Sequence, residues 1–237
     1  MSHPPLHLWG IHAPLEELTG GHRNTVWRTC GLSNDLVFKS TQRSEAAMVW
    51  LSEVQAIARS AGLNVPHMRR SLSGAWIAEG WICEELVEGA AIPPAVASDL
   101  SAPLNRFHEM SRAVSQRPGF CATFDLLTRA AGGDVDLSQM PADLVALCRA
   151  AWSAVQTAPL CVVHGDLAPG NLLRDPLGHL WLIDWDECRR DLPLFDRVML
   201  EPLGPEARRA HLAWEVACGW QREPEHARQL ARDLRGF

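Results

Sequence analysis

The sequence contains no tyrosine, a single lysine and no run of about 20 consecutive apolar residues. The N-terminus also lacks a basic segment followed by an apolar one, so we predict neither a secretion signal nor a membrane span. Seven cysteines are present, but they are scattered and none forms a Cys-x-x-Cys pair. This pattern predicts free thiols in a reducing environment, and hence a cytoplasmic protein that folds without disulfides or a structural metal.

The charge composition bears on partners and on the single lysine. A formal net charge of -6 argues against a nucleic-acid partner, because binding to a phosphate backbone requires a basic surface. Of the 22 basic residues, only Lys39 is a lysine. A chain this biased towards arginine would carry arginine wherever a positive charge alone suffices, so Lys39 is expected where a compact ammonium is needed. The alternative is that one lysine survives by chance, and its position decides between the two.

The first 90 residues read as strands with one helix. Residues 15–29 and 35–40 alternate as strands do. Residues 44–60 have the apolar spacing of a helix, with Ser44 as its N-cap. Residues 76–89 fit a two-stranded hairpin. These elements predict a small antiparallel sheet with one main helix.

The chain changes character at an Ala- and Pro-rich stretch, residues 90–98. Beyond it the apolar spacing is mostly helical, apart from short apolar runs separated by turn residues between 162 and 183. We therefore predict an N-terminal lobe, residues 1–88, and a larger helical C-terminal lobe, residues 89–237.

The exception to the helical pattern is a predicted hairpin that brings polar side chains together. If Asp175 to Gly178 form its turn, the strands run antiparallel, and Asn171 and Asp184 lie at the same end. Asp166, in the loop before the hairpin, reaches that end too. Two carboxylates this close repel one another unless a cation lies between them. Mg2+ suits such oxygen ligands, because it usually shares its shell with water and substrate phosphates.

These segments resemble a known family. The segments HGDLAPGN (164–171) and IDWD (183–186) resemble the paired motifs of the aminoglycoside phosphotransferase and choline kinase family. LTGGHRN (18–24) is similar to its phosphate-covering loop, and LNVP (63–66) to the segment after its first helix. The resemblance implies an α+β, bilobal protein-kinase-like fold. In that fold the N-terminal lobe is an antiparallel sheet with one main helix, and the larger helical lobe carries a catalytic hairpin.

The resemblance also implies roles for individual residues. Asp166 would orient the acceptor hydroxyl, Asn171 and Asp184 would bind Mg2+, and Lys39 would contact the phosphates of ATP. Phosphoryl transfer through a loose transition state mainly requires that the reactants are positioned and that charge on the phosphates is neutralised. These residue types agree with that requirement. The phosphate-covering loop and the inter-lobe connector supply the other nucleotide contacts that the resemblance implies, namely Gly20, Gly21, Asn24, Glu85 and Val87.

Lys39 needs a carboxylate to hold it, and the predicted helix offers Glu45 or Glu53. Glu45 lies in the first turn, where the helix dipole alone favours an acid. Glu53 has apolar residues at the i±3 and i±4 positions, a setting in which a lone carboxylate would be costly. We therefore predict that Glu53 is the ion-pair partner of Lys39 and belongs to the catalytic set, with Glu45 as the alternative.

Together these features predict an ATP-dependent small-molecule kinase. It would move the γ-phosphoryl group of Mg-ATP to a hydroxyl of an amino alcohol, sugar or aminoglycoside-like acceptor. Arg189 and Arg190, expected beside the acceptor pocket, favour an anionic or neutral acceptor over a polycationic antibiotic. The alternative is a nucleotide-binding regulatory protein of the same fold with little turnover; the complete catalytic set favours the enzyme. We expect no nucleic-acid or membrane partner, and a monomer or weak homodimer.

Overall fold

The computed structural model describes residues 3–18, 24–156 and 158–237. The elements of the N-terminal part are β1 (Leu15–Leu18), β2 (Val26–Thr29), β3 (Leu36–Ser40), α1 (Glu45–Ser60), β4 (Met68–Arg69) and β5 (Trp81–Glu85). The strands form one antiparallel sheet in the order β1-β2-β3-β5-β4. The sheet and single long helix match the prediction for this part of the chain.

The central strand, β3, has two different faces. Leu36 and Phe38 pack with Trp81 in the core behind the sheet. Val37 and Lys39 line a cavity on the opposite face. The alternation predicted for this segment is therefore confirmed, and it is the reason that the only lysine lies in a cleft.

The helix α1 follows the predicted cap and stripe. The Ser44 Oγ atom accepts a hydrogen bond from the backbone N–H of Ala47 at 3.2 Å, which satisfies a donor in the first turn. The stripe predicted to be apolar is buried, and it comprises Ala47, Leu51, Val54 and Ala58. This stripe packs into an apolar cluster that continues into the C-terminal part of the chain.

The rest of the described chain is mostly helical. In chain order its elements are β6 (Ala90–Ala91), α2 (Ser98–Met110), α3 (Thr123–Leu126), β7 (Ala131–Gly132), β8 (Val135–Asp136), α4 (Ala142–Ser153), β9 (Cys161–Val163), β10 (Leu172–Arg174), β11 (Leu180–Leu182), β12 (Arg189–Asp191), α5 (Leu194–Arg197), α6 (Pro205–Arg222) and α7 (Pro224–Arg235). Short 3-10 turns occur at Leu6–Trp9, Pro94–Val96, Leu137–Gln139, Pro169–Asn171 and Trp185–Glu187. The main core of this part includes residues of α4, α6 and α7, around the buried Trp152 and Trp214.

The predicted hairpin is present. The strands β10 and β11 pair antiparallel with Leu172 opposite Leu182, and β6 adds a third strand beside β10. The turn runs from Asp175 to Gly178, and the Oδ1 atom of Asp175 accepts the backbone N–H of Leu177 at 2.9 Å. The short strand β9, before the loop that carries Asp166, pairs with β12, which the sequence pattern did not predict.

Two features of the N-terminal part differ from or extend the sequence predictions. The segment 76–80 forms only an isolated bridge, Ala78 to Trp81, because both edges of β5 are already occupied by β3 and β4. The chain leaves this sheet at Glu85 and joins the hairpin sheet at Ala90, so the proposed division between residues 88 and 89 falls in the connector.

None of the helices in the described ranges has the length and apolar character that a membrane span requires.

Candidate active site

The loop that carries Asp166 is held from behind by a buried carboxylate, Asp196. The backbone N–H groups of His164 and Gly165 donate to it at 3.0 and 2.9 Å, and His108 Nε2 donates at 2.8 Å. Burial alone would raise the pKa of Asp196, but the hydrogen bond from His108 and the other favourable contacts of the carboxylate together outweigh burial, so this pKa lies below its ordinary value. Asp196 therefore anchors the loop through hydrogen bonds.

Gly165 allows this loop to pass close to its support. Its φ is +85°, and a Cβ atom there would lie 2.6 Å from Arg189 Nη1 and 2.9 Å from the carbonyl O of Glu187. Left-handed backbone and the close approach both favour glycine, because any side chain would be strained and would clash.

We expect Gly165→Ala to lower the free energy of unfolding by at least about 2 kcal/mol, because backbone strain and the clash act together. Gly170→Ala is the matched control, since no atom lies within 4 Å of a Cβ atom built there. Urea unfolding followed by tryptophan fluorescence measures both variants. Equal stability of Gly165→Ala and wild type would contradict the clash and show that the loop can shift freely.

His164 connects the loop to the end of the hairpin. Its Nδ1 atom accepts the backbone N–H of Asp166 at 3.3 Å, so that nitrogen carries no proton, and its Nε2 atom donates to the carbonyl O of Ile183 at 2.9 Å. The ring is buried and lies edge-on to Trp185. His164 is therefore a structural residue that ties the loop to the end of the hairpin.

Asp166, Asn171 and Asp184 lie at one end of the hairpin. The Nδ2 atom of Asn171 donates to Asp166 Oδ2 at 2.8 Å and to the carbonyl O of Asp166 at 3.0 Å. The backbone N–H of Ile183 donates to the carbonyl O of Asn171 at 3.0 Å, which keeps the start of one strand beside the end of the other. Asp184 follows with a left-handed backbone, φ +60°, which aspartate tolerates better than bulkier residues.

Lys39 reaches this group from the sheet above it. Its Nζ atom lies 2.7 Å from Glu84 Oε1 and 3.3 Å from Asp184 Oδ1. Burial alone would lower the pKa of Lys39, but the charges of Asp184 and Glu84 outweigh burial, so this pKa lies above its ordinary value. The ammonium is therefore charged and bridges a strand of the sheet to the end of the hairpin.

The prediction that Glu53 pairs with Lys39 was wrong. Glu53 is exposed, as are two of the neighbours on which the prediction relied, Val49 and Ala56. The i±3 and i±4 rule identified a shared face of α1 but not which way that face points. Glu45 is not the partner either, because its carboxylate accepts the backbone N–H groups of residues 76 and 77 at 2.8 and 3.0 Å.

The carboxylate that does hold the lysine, Glu84, was missed. It lies on β5, opposite Val37 of β3, and it is buried on the face that lines the cleft. In the sequence Glu84 lies between a buried strand segment and the connector, and nothing in that position alone identifies it as the partner of Lys39.

A cavity of about 250 Å³ opens beside Lys39. Glu85 and Val87 of the connector line it, as does Asp184 at the end of the hairpin. Its apolar walls come from both parts of the chain, namely Leu18, Val26, Val37, Leu173 and Ile183. The walls are mainly apolar and charged groups lie at one end, an arrangement that fits a flat base with a phosphate chain.

The predicted phosphate-covering loop is described only at its end. Gly20 and Gly21 lie outside the described residues. Asn24 lines a small space with Lys39 and Asp184, next to the cavity.

Arg43, in the loop before α1, ties the two parts of the chain together. Its guanidinium donates to Asp186 at 3.0 and 2.8 Å, and to Asp134 at 3.0 and 2.7 Å. Burial would raise the pKa of Asp186, but the hydrogen bond from Arg43 and the nearby positive charges together outweigh burial, so this pKa lies below its ordinary value. Since Asp186 is two residues from Asp184, this clamp orients the loop that follows the hairpin.

The expectation that Arg189 lies beside an acceptor was wrong. The side chain is fully buried, pairs with Asp191 at 3.0 Å and stacks on the ring of Trp214 at 3.4 Å. The guanidinium supports the loop at Gly165 from inside the protein. It is therefore not a surface charge that an acceptor could contact.

A comparison with protein-family models matches residues 14–230 to the phosphotransferase enzyme family. The chain belongs to this family. Membership makes it a phosphotransferase that acts on a hydroxyl acceptor, and the recognition made from the segments 164–171 and 183–186 is confirmed. A comparison with curated proteins finds no match.

Solved structures of the same fold cover nearly the whole chain. A spectinomycin phosphotransferase, APH(9)-Ia, in complex with ADP and spectinomycin has a TM-score of 0.63 at 10% identity, over 96% of this chain and 91% of the other. The choline kinase LicA from Streptococcus pneumoniae has a TM-score of 0.57 at 15% identity, over 96% and 95%. An aminoglycoside phosphotransferase from Alicyclobacillus acidocaldarius subsp. acidocaldarius DSM 446 has a TM-score of 0.54 at 15% identity, over 99% and 97%. The predicted α+β, bilobal protein-kinase-like fold is therefore confirmed.

Proposed function

We propose that this family member is an ATP-dependent kinase that phosphorylates a hydroxyl group of a small metabolite. The proposal rests on a contact across the cleft, in which Lys39 Nζ lies 3.3 Å from Asp184 Oδ1. Asp166 is tied to Asn171 at 2.8 Å at the same end of the hairpin. A buried ammonium, two oxygen donors for a cation and a carboxylate for the acceptor are the groups that phosphoryl transfer requires.

ATP fits the cavity beside Lys39. The apolar walls suit the adenine ring, and the connector from Glu85 to Val87 offers backbone groups along its edge. The ammonium of Lys39 is in reach of the phosphate chain at the charged end. The phosphate-covering loop of Gly20, Gly21 and Asn24 is proposed to close over those phosphates, as the family resemblance implies.

Asn171 and Asp184 have the donor chemistry for Mg2+. Within the part of the chain that the structure describes, no three His, Cys, Asp or Glu side chains come together to hold a metal by themselves. Mg2+ does not need such a cage, because it keeps water ligands and shares phosphate oxygens with the protein. Asn171 uses its Nδ2 atom on Asp166, which leaves its amide oxygen for the cation. Bound Mg2+ would neutralise charge on the phosphates during transfer.

Asp166 is proposed to orient the acceptor. Its carboxylate is half-buried, and the hydrogen bond from Asn171 fixes its rotamer. It can accept a hydrogen bond from a hydroxyl and direct the oxygen at the γ-phosphorus. Lys39 stays on the phosphates, so the two residues act at opposite ends of the phosphoryl group that moves. Positioning of this kind accounts for most of the rate in a loose transition state.

The acceptor class stays broad. Because Arg189 is buried, it gives no reason to prefer an anionic acceptor, and amino alcohols, sugars and aminoglycoside-like compounds all remain candidates. The names of two similar structures, a spectinomycin phosphotransferase and a choline kinase, add those two compounds to the candidates. A cytoplasmic location and a monomeric or weakly dimeric state stay predictions from the sequence.

The rival is a regulatory protein of the same fold that binds nucleotide with little turnover. Its sequence would be free to lose the acceptor-facing carboxylate. Asp166 is instead present and held by Asn171 and by the support from Asp196. The kinase is therefore the better supported of the two.

We expect acceptor-dependent release of ADP from Mg-ATP for at least one compound in a panel of hydroxylated molecules. The panel contains spectinomycin, other aminoglycosides, choline, ethanolamine, sugars, nucleosides and homoserine. A coupled assay measures ADP, and mass spectrometry of the acceptor shows the added phosphoryl group. Binding of Mg-ATP without release across an enlarged panel would favour the regulatory protein, and failure to bind Mg-ATP would contradict the nucleotide site itself.

A further inference from the structure

The only lysine is held by the sheet and not by the helix. Lys39 on β3 and Glu84 on β5 belong to adjacent strands, and their charged atoms lie 2.7 Å apart. Both side chains are nearly buried, with exposed fractions of 12% and 9%. Of the two acids of α1, Glu45 accepts hydrogen bonds from backbone N–H groups, and Glu53 is exposed to solvent.

The face of α1 nearest the lysine carries Met48, Leu51 and Gln55. Together with Lys39 and Glu84 they line a space of about 20 Å³, which holds one water molecule at most. An apolar helix face and a neutral amide cannot hold an ammonium as a carboxylate does. The position of Lys39 is therefore set by the register of two strands.

The second partner of the lysine, Asp184, is a proposed Mg2+ ligand. A cation bound by this carboxylate would weaken its contact with the ammonium, because the two positive charges repel each other. The side chain of Asp184 is 43% exposed, so it is free to turn, whereas that of Glu84 is packed in place. The carboxylate of Glu84 is thus the one that remains with Lys39 when Mg-ATP enters.

We propose that Glu84 is the positioning residue for Lys39, in place of a carboxylate from α1. Glu84 keeps the ammonium at the back of the cleft and frees Asp184 to bind the cation. This inference rests on the proposed function, in which Lys39 contacts the phosphates. It predicts that the helix need not carry an acid for the enzyme to work.

We expect Glu84→Gln to lower kcat by roughly 100-fold, with a change in KM for Mg-ATP below about tenfold, because a misplaced lysine affects the transition state more than ground-state binding. We also expect half-saturation at a higher Mg2+ concentration, because Lys39 then pairs more with Asp184. The assay is ADP release from Mg-ATP, with water or the best acceptor of the panel. Glu53→Gln is the matched control and should behave as wild type.

A second variant separates positioning from folding. In the Glu84→Gln background, Gln55→Glu returns a carboxylate to the same small space from the helix side. Recovery of at least about tenfold in kcat in the double variant supports the proposal. Wild type and the double variant share a carboxylate beside Lys39, but that carboxylate comes from a different element in each, so the charge and not the local shape explains the recovery. Normal kcat per folded molecule in Glu84→Gln, with only a loss of stability in urea, would overturn it.

A third measurement does not depend on turnover. Lys39 is the only lysine in the sequence. Mass spectrometry of the peptide that contains it therefore measures how fast an amine-reactive ester acylates its side chain at fixed pH. We expect Lys39 to react roughly tenfold faster in Glu84→Gln than in wild type or Glu53→Gln, because the amine has lost the nearer and better buried of its two carboxylate partners. An unchanged rate overturns the proposal for Glu84. Failure of wild type to bind Mg-ATP would instead contradict the proposed function, and the acylation rates would still decide whether Glu84 holds Lys39.

Discussion

Replacing Asp166 with asparagine is expected to reduce phosphoryl transfer by about 10³-fold while Mg-ATP binding stays within about threefold of wild type. Asparagine has the same shape, and its amide oxygen can still accept the hydrogen bond that Asn171 donates. The loop should therefore keep its conformation. What is lost is the negative charge that, in the proposed function, orients the acceptor hydroxyl and receives its proton during transfer.

The loss should appear in kcat and not in the affinity for nucleotide, because the proposed role of Asp166 is toward the acceptor and that of Lys39 is toward the phosphates. Steady-state ADP release and equilibrium titration with Mg-ATP measure the two quantities separately. Asp233→Asn, an exposed carboxylate on α7, is the matched control for the change of charge. Full turnover by Asp166→Asn would refute the role assigned to Asp166, and tight Mg-ATP binding without turnover in wild type would favour the regulatory protein.

The end of the hairpin was predictable because its signals are local. Turn residues from Asp175 to Gly178 fix the pairing of β10 and β11, and pairing places Asn171 and Asp184 at one end. The side chains of these two residues, an amide and a carboxylate, then indicate that this end offers oxygen ligands to a cation. Alternation along β3 likewise placed Lys39 on the face opposite Leu36 and Phe38, since strand faces follow from a period of two.

The partner of Lys39 was not predictable in the same way. Helical spacing shows which residues of α1 share a face, but the rotation of α1 against the sheet is set by tertiary packing of its buried stripe. That packing turns Glu53 to solvent. Glu84 pairs with Lys39 through the register of β3 and β5, and this register joins residues 45 positions apart in the chain. No local pattern contains this information.

Arg189 shows the same limit for charge. A pair of arginines shortly after the segment 183–186 is typical of a charged surface. In the fold, Asp191 neutralises Arg189, and Trp214 of α6 covers its guanidinium. Because α6 begins 16 residues after Arg189, the residue that buries the arginine cannot be identified from the sequence around it. An acceptor preference based on that charge was therefore unsafe.

Asp184→Asn is expected to abolish the Mg2+-dependent part of ATP binding and to lower kcat/KM by about 10³-fold. Asparagine is chosen because it also tolerates the left-handed backbone at this position, where φ is +60°. It removes the charge proposed to attract the cation but leaves the shape of the loop. It also removes one of the two carboxylates around Lys39, so the lysine should stay on Glu84.

Titration of nucleotide affinity against Mg2+ distinguishes these effects. Wild type should bind ATP more tightly as Mg2+ is added, whereas Asp184→Asn should bind ATP with nearly the same affinity with and without Mg2+. Asp233→Asn should follow wild type. If Asp184→Asn kept the Mg2+ dependence, the cation would have to be held by other oxygens, and the pairing of Lys39 with Asp184 would then be a purely structural bridge between the sheet and the hairpin.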